Sequence, residues 1–381
     1  MTSGKTADTT PSNNALEEMD RQRRNGVKAE DDEKWIWRYL EEKTRRKHIP
    51  MHGKLELTPI CNLNCKMCYV HLDNNSYGYD RLMTVEKWIS LICAAHEMGM
   101  MDVVLTGGEC LTYPGFDDIY MYLINHGIWV EILSNGILMN EERICFFKKY
   151  VPKKGIQITL YGSNEKAYEA VTGQRVFGIV WENIQRMRDA GLPVWISLTP
   201  NAYMQDDPEA LIHVVEELKV PYFINFAMLP PRKETGRKMA EVSDEWLLSL
   251  FRARSKYRNI QITPPEPCNV PAPNQICFGE PPEGVHCGAG KNSFAILHDG
   301  RMSPCTGMDF VTTEPLKQGF PEAWRELNEK MKHYQRPAEC DGCAYQKVCS
   351  PCPALHQGAP RGHCDTRICT RIHKLITAGL F

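Results

Sequence analysis

The sequence predicts an α/β protein: a parallel sheet, open or curled into a partial (β/α)6 TIM-like barrel, followed by a smaller cysteine-rich domain. Three observations carry this expectation. From Lys54 onward, short apolar runs alternate with amphipathic stretches of helical spacing. Beyond about residue 235 the texture turns proline-rich and then cysteine-rich. The segment after the first predicted strand, Cys61-Asn62-Leu63-Asn64-Cys65-Lys66-Met67-Cys68, puts thiols beyond a strand's carboxyl end, where such folds keep their chemistry.

Taken in order, residues 1 to about 30 combine few apolar groups with many charges and read as disordered. Trp35, Trp37, Tyr39 and Leu40 among charges mark an amphipathic helix over 31–47, with its aromatics capping the barrel bottom. Strands are expected at 54–60, 102–106, 128–134, 156–161, 193–199 and 221–227. Helices are expected between them at 84–98, 114–126, 141–150, 176–190 and 207–218, with Thr84 ahead of Lys87 as one helix start. A helix over 243–256 leads into an extended proline-rich linker, Pro264 to Pro282. Two short strands, 293–297 and 301–303, flank the turn His298-Asp299-Gly300, and helices follow at 320–333 and from about 366. The expected divisions are 1–49, a barrel over 50–235, a helix and linker over 236–285, and a cysteine-rich domain over 286–381.

Composition excludes several classes. Hydrophobic content of 43% and charged content of 24% are ordinary for a soluble globular protein. A net charge of −2 gives no reason to expect nucleic acid or an anionic membrane surface as partner. No apolar run approaches the length of a membrane span, and the polar start from Met1 to Asn14 is not a secretory signal. Sixteen cysteines without such a signal point to metal in a reducing cytoplasm rather than to disulfides.

The spacing Cys61-x3-Cys65-x2-Cys68 can fold back as one loop and present three thiolates to a single iron–sulfur cluster. Such clusters take four cysteines, so three leave one iron open to another ligand. A zinc knuckle is the bland alternative, although zinc prefers tetrahedral sets of four. At the end of strand two stands Leu105-Thr106-Gly107-Gly108-Glu109, whose glycines let backbone approach a ligand and whose carboxylate can receive an ammonium; alone it is a plain turn. Ser134-Asn135-Gly136 and Thr159-Leu160-Tyr161-Gly162 end strands three and four. Further on come Cys287, Gly300 and Cys305, then Cys340-x2-Cys343-x5-Cys349-x2-Cys352, then Cys364 and Cys369. Taken blandly, the two paired hooks could form a zinc ribbon.

The cysteine loop followed by Tyr69, together with Gly107-Gly108-Glu109, resembles the radical S-adenosylmethionine (radical SAM) signature. The C-terminal set resembles the SPASM extension of radical SAM enzymes that modify peptides and proteins, departing once, with two residues rather than three between Cys349 and Cys352. The resemblance implies SAM and three 4Fe–4S clusters, one on Cys61, Cys65 and Cys68 and two auxiliary. By position, one auxiliary cluster takes Cys287, Cys305, Cys352 and an upstream cysteine, Cys277 rather than Cys268. The other takes Cys340, Cys343, Cys349 and a distal cysteine, Cys369 rather than Cys364, with the second cluster's fourth site the first place to look for an additional ligand. It further implies SAM contacts at Met67, Tyr69, Gly107, Gly108, Glu109, Ser134, Asn135 and Thr159, with a buried core role open for Met67 and Tyr69. Cys93 and Cys145 are expected as core residues of helices and Cys110 as an inert small residue.

The implied activity is reductive cleavage of SAM to a 5′-deoxyadenosyl radical that takes hydrogen from a peptide or protein. The implied electron donor is a flavodoxin or ferredoxin, and there is room for a separate peptide-recognition protein. The segment before the first strand is too short for the winged-helix peptide-recognition domain of some radical maturases. Three substrate readings stay open: a maturase of ribosomally made peptides, an anaerobic sulfatase-maturating enzyme, and a sugar epimerase or dehydrogenase. The second family has an aspartate directly after the cysteine of its G-x4-C motif. Thr306 stands there in this chain, with Asp309 nearby.

Overall fold

The computed structural model describes residues 29–70, 72, 78–238, 240–258, 287–334, 337–340, 343–345, 349, 352–357 and 363–379. The expected disorder before residue 29 and the proline-rich linker with Cys268 and Cys277 lie outside the described residues.

A first helix, α1 (Ala29–Lys47), precedes β1 (His52–Glu56). Alternation then runs α2 (Val85–Glu97), β2 (Asp102–Thr106), α3 (Phe116–Asn125), β3 (Trp129–Ser134), α4 (Glu141–Lys149) and β4 (Gly155–Leu160). It continues through α5 (Glu165–Thr172), α6 (Phe177–Asp189), β5 (Val194–Leu198), α7 (Pro208–Glu217) and β6 (Tyr222–Ile224), followed by α8 (Asp244–Tyr257). The C-terminal region contributes β7 (Ser293–Ile296), β8 (Met302–Ser303), α9 (Pro315–Gln318), α10 (Phe320–Lys332) and α11 (Thr366–Thr377). Helix starts follow capping chemistry: the side chains of Thr84, Asn140, Asn164, Asp207, Ser243 and Asp365 each accept a first-turn backbone N–H.

The strands form one sheet in the order β6-β5-β4-β3-β2-β1-β7-β8. Strands β1 to β6 are parallel neighbours, the partial barrel that the alternation predicts. Their apolar runs are continuous because helices cover the sheet: Val103, Leu105, Ile132, Ile156, Ile158 and Ile196 are fully buried. On the free side of β1 the sheet is extended by β7, parallel and in register from His52↔Ser293 to Leu55↔Ile296, with β8 antiparallel beyond it. The C-terminal hairpin is therefore part of the barrel's own sheet. Phe294 meets Phe320 and Trp324 edge-on beneath it, and the Trp324 indole donates to the His48 carbonyl at 2.6 Å. At the bottom, Trp37 of α1 packs on Trp129, where β3 begins, with ring centroids 4.8 Å apart.

Several expectations need correcting. Strand β1 ends at Glu56, not at residue 60, because Thr58 and Ile60 turn to accept the N–H groups of Gly108 (2.7 Å) and Glu109 (2.9 Å). Strand β6 is three residues rather than the predicted 221–227. Helix α5 is not foreseen; it is eight residues long, capped by Asn164 and closed by Gly173 at φ 78°. Cys145 is exposed and Cys93 only half-buried, since Ile144 and Phe147 carry the buried face of α4 and Leu91 and Ile92 that of α2. Cys110 is fully buried, its thiol donating to the Leu133 carbonyl. Among the described residues no helix is long and apolar enough to cross a membrane.

At the barrel bottom Asp102, 2% exposed, accepts from His52 Nδ1 (2.7 Å) and Lys154 Nζ (2.8 Å). Burial alone would raise its carboxyl, but the hydrogen bond from His52 and the charges of His52 and Lys154 outweigh burial and hold it below its ordinary value. A depressed carboxylate stabilises the fold above its unfolded value and loses that contribution as pH falls through the folded one. Asp102→Asn should cost about 2 kcal/mol at neutral pH. In urea titrations the gap to the parent should close as pH falls below about 4.

Candidate functional site

The carboxyl ends of β1 to β6 surround a cavity of about 280 Å³. Its wall includes the three cysteines of the first loop, Met67, Tyr69, Gly107, Gly108, Ser134, Asn135 and Thr159. The residues singled out on four separate strand ends thus meet at one place; Glu109 does not line it.

The cysteine loop is held by the helix that sequence patterning missed. Lys66 N–H donates to Val171 O (3.0 Å) and Asn64 N–H to Thr172 O (3.3 Å), using carbonyls that the last turn of α5 leaves unpaired. Gln174 Nε2 donates to Asn62 O at 2.8 Å, and the Arg237 guanidinium donates to Cys65 O and Asn64 Oδ1. On the opposite side, Gly107 and Gly108 let the exit of β2 lie against Thr58–Ile60, the residues leading into Cys61. A Cβ on either glycine would collide with the backbone carbonyl of Thr58 or Ile60, and Gly107 sits at φ +143°. The close approach these glycines permit is first of all to the chain's own backbone.

Glu109 acts as a brace. It is 1% exposed; Oε2 accepts from Asn135 N (2.8 Å) and Ser134 Oγ (3.1 Å), and Oε1 from Leu111 N (3.2 Å). Burial pushes its carboxyl up to about 6, against the pull of these donors. It thereby ties the exit of β2 to that of β3 and aims Asn135, whose Nδ2 donates to Asn62 Oδ1 (2.7 Å) and reaches Cys61 Sγ (3.6 Å).

Cys65 is buried, and Cys61 and Cys68 are half-buried. Burial pushes Cys61 up to about 12, and the Glu109 charge adds to it. Cys65 is pushed well up by burial and by its two neighbouring thiols, against the pull of the Tyr161 hydroxyl and Arg237. Thiols so placed ionise together only around a group of positive charge, and soft thiolates suit iron–sulfur chemistry. Among the described residues no three His, Cys, Asp or Glu side chains converge on a single metal-ion position. The thiols instead line a cavity roomy enough for a larger group, so the donor set fits the cluster its spacing implies.

Sequence reasoning missed two further sets of residues. Ser197, Thr199 and Asn225 form a polar row on the far wall, where Asn225 Nδ2 donates to both hydroxyls at 2.9 and 3.0 Å. Alternate polar residues at the ends of β5 and β6 are their only signal in the sequence. The second set is centred on Arg232, which left no local signal. Its guanidinium grips Glu56 in a fork, Nη1 to Oε2 at 2.9 Å and Nη2 to Oε1 at 2.6 Å, both side chains being almost wholly buried. Nη2 also donates to Thr306 O (2.9 Å), Nε lies 3.5 Å from Asp309 Oδ2, and the backbone N–H donates to Tyr69 O (3.2 Å). The Tyr69 hydroxyl hydrogen-bonds Thr306, and the guanidinium stands 5.6 Å from the Tyr69 ring centre. Burial would raise the Glu56 carboxyl, but His298 and Arg232 hold it below its ordinary value.

A second cavity, also about 280 Å³, lies at the start of α11 and is lined by Cys340, Cys343, Cys349, Cys364 and Cys369 with His356 and His373. Apart from these, burial pushes Cys305 up to about 11, and the nearby Cys352 and Cys287 add to it.

Removing Arg232 leaves a buried, uncompensated carboxylate. Arg232→Met should therefore destabilise the protein by about 3–5 kcal/mol in chemical unfolding. Adding Glu56→Gln should restore part of that loss, so the double variant lies well short of the sum of the singles.

Residues 55–221 match the family model described as the radical SAM superfamily. Over 152 residues, 40% of this chain and 33% of the relative, the sequence is 26% identical to the antilisterial bacteriocin subtilosin biosynthesis protein AlbA of Bacillus subtilis strain 168. Over 161 residues, 42% of this chain and 38% of the relative, it is 25% identical to the sporulation killing factor maturation protein SkfB of the same organism. The chain spans 33% and 38% of the length of these two curated relatives. The crystal structure of Streptococcus suis SuiB bound to precursor peptide SuiA superposes with a TM-score of 0.61 at 17% identity, over 86% of this chain and 79% of that one. That likeness establishes the fold.

Proposed function

We propose that this chain, which carries a radical SAM domain over residues 55–221, is an enzyme that modifies a peptide and matures a ribosomally made precursor. The observation that carries the reading is the gathering of Cys61, Cys65 and Cys68 with the strand-end groups of β2, β3 and β4 around one cavity. The printed names of AlbA and SkfB, a biosynthesis and a maturation protein, and the precursor peptide bound to SuiB support a peptide as substrate.

In this reading the three cysteines hold one 4Fe–4S cluster, and SAM occupies the remaining cavity beside Met67, Tyr69, Gly107, Gly108, Ser134, Asn135 and Thr159. Bound there and reduced, the pair supplies a 5′-deoxyadenosyl radical able to abstract an unactivated hydrogen. The chain's own work is positional. Arg237, Gln174 and the end of α5 fix the loop, Glu109 aims Asn135 at Cys61, and the apolar barrel excludes water from the reacting atoms. Cys287, Cys305, Cys352 and an upstream cysteine would hold one auxiliary cluster; Cys340, Cys343, Cys349 and a cysteine at the start of α11 would hold the other. The barrel (50–235) and the cysteine-rich domain (286–381) divide these tasks. A flavodoxin- or ferredoxin-type donor would supply electrons in a reducing cytoplasm, and a separate recognition protein would present the peptide. Formylglycine formation is the weaker reading, because Thr306 replaces the expected aspartate and Asp309 is engaged by Arg232.

Reconstituted without oxygen, reduced and given SAM, the protein should release 5′-deoxyadenosine. The Cys61/Cys65/Cys68 triple alanine variant should lose that product and about four irons. Tightly bound zinc without 5′-deoxyadenosine would refute the reading. Co-expression with a short peptide encoded beside this gene should yield a peptide lighter by two hydrogens in mass spectrometry; an unchanged mass would count against a peptide oxidation or crosslink.

A further inference from the structure

The cavity at the start of α11 holds more thiols than a cluster uses. Cys340, Cys343, Cys349, Cys364 and Cys369 all line it, whereas a 4Fe–4S cluster takes four cysteines. Family spacing favours Cys369, yet Cys364 is a built position. The Glu339 carboxylate accepts from Cys364 N (3.3 Å) and from His363 Nδ1 (2.6 Å), which clasps residues 363–364 to the chain just before Cys340. His356 Nδ1 accepts from Asp365 N at 2.9 Å, anchoring the next residue. So held, Cys364 Sγ lies 3.7 Å from Cys340 Sγ and shares a hydrogen bond with Cys369. Cys364 is buried, yet it belongs to neither apolar core cluster of the described residues. At the cavity it stands with four further thiols, alongside Glu339 and His356.

We propose that Cys364 and Cys369 are interchangeable ligands for one corner of the second auxiliary cluster. The proposal rests on the auxiliary-cluster reading given above. The two residues flank Asp365, whose side chain caps α11, so either thiol can turn to the corner while the helix stays in place. The exchange balances without any redox partner. One iron–thiolate bond breaks as the other forms, and the proton of the incoming thiol passes to the outgoing thiolate along the hydrogen bond between them. Cys369, in the first turn of α11, gains from the helix N-terminus as a thiolate, which suits it to one of the two states.

The test uses holoenzyme reconstituted without oxygen, with iron counting and electron paramagnetic resonance of the reduced protein as readouts. The parent should carry about twelve irons. Cys364→Ala and Cys369→Ala should each keep that content, each with a shifted resonance, and the double variant should lose about four irons. If one single variant loses those irons while the other matches the parent in iron and spectrum, the corner has one fixed ligand and the proposal fails. It fails equally if both singles lose iron or if the double variant keeps it. A parent well short of twelve irons refutes the auxiliary-cluster reading instead, a different result. Circular dichroism and gel filtration of every variant report whether the fold is intact; if the double variant fails to fold, the two singles decide.

Discussion

The structure turns on one buried guanidinium. Arg232 neutralises Glu56 at the end of the first strand and donates in addition to the Thr306 carbonyl, in the loop after Cys305. Its backbone N–H meanwhile holds Tyr69, the residue after the last cysteine of the first loop. Three parts of the chain that are remote in sequence therefore share one charge. A carboxylate at this depth is tolerable only with such a partner, and the partner is tolerable only with the carboxylate, so neither part can drift without exposing the other's unpaired charge. This reciprocity, added to apolar packing, holds the Cys61–Cys68 loop and the loop bearing Cys305 at a fixed spacing.

Around that fixed point the cysteine loop is built from leftovers of neighbouring elements. Helix α5 ends with carbonyls it cannot pair, and the loop's N–H groups take two of them. The glycines after β2 remove side chains where two strand exits must touch. Glu109 then converts that contact into an alignment of β2 with β3. Each device uses backbone or buried polar groups whose alternatives are unsatisfied, so the loop's shape is specified by the cost of leaving it.

What could be foreseen from the sequence follows from how local each signal is. The strands are runs of buried apolar residues, and the cap at Thr84 acts within its own first turn, so both are visible in short windows. Helix α5 is eight residues long and shows too few turns for periodicity to register. Glu56 and Arg232 stand 176 residues apart, and no window includes both. The cysteines announced themselves by spacing, but spacing could not show that Cys364 and Cys369 share one cavity. The resemblance gives the Glu109 carboxylate a ligand's ammonium; that Ser134 and Asn135, at the end of the next strand, also donate to it is beyond the reach of sequence patterning.

The pairing of β7 with β1 bears on how the molecule comes into being. The first strand emerges from the ribosome early, yet one of its edges has no partner until the chain has been extended to β7. Until then that edge offers unpaired N–H and C=O groups to any passing strand, a standing invitation to aggregation. Arg232 likewise reaches Thr306 only after most of the polypeptide has been made. A nascent chain therefore lacks the tie between Arg232 and Thr306 until late in synthesis. A fragment that stops short of the hairpin keeps that edge of β1 without its β7 partner.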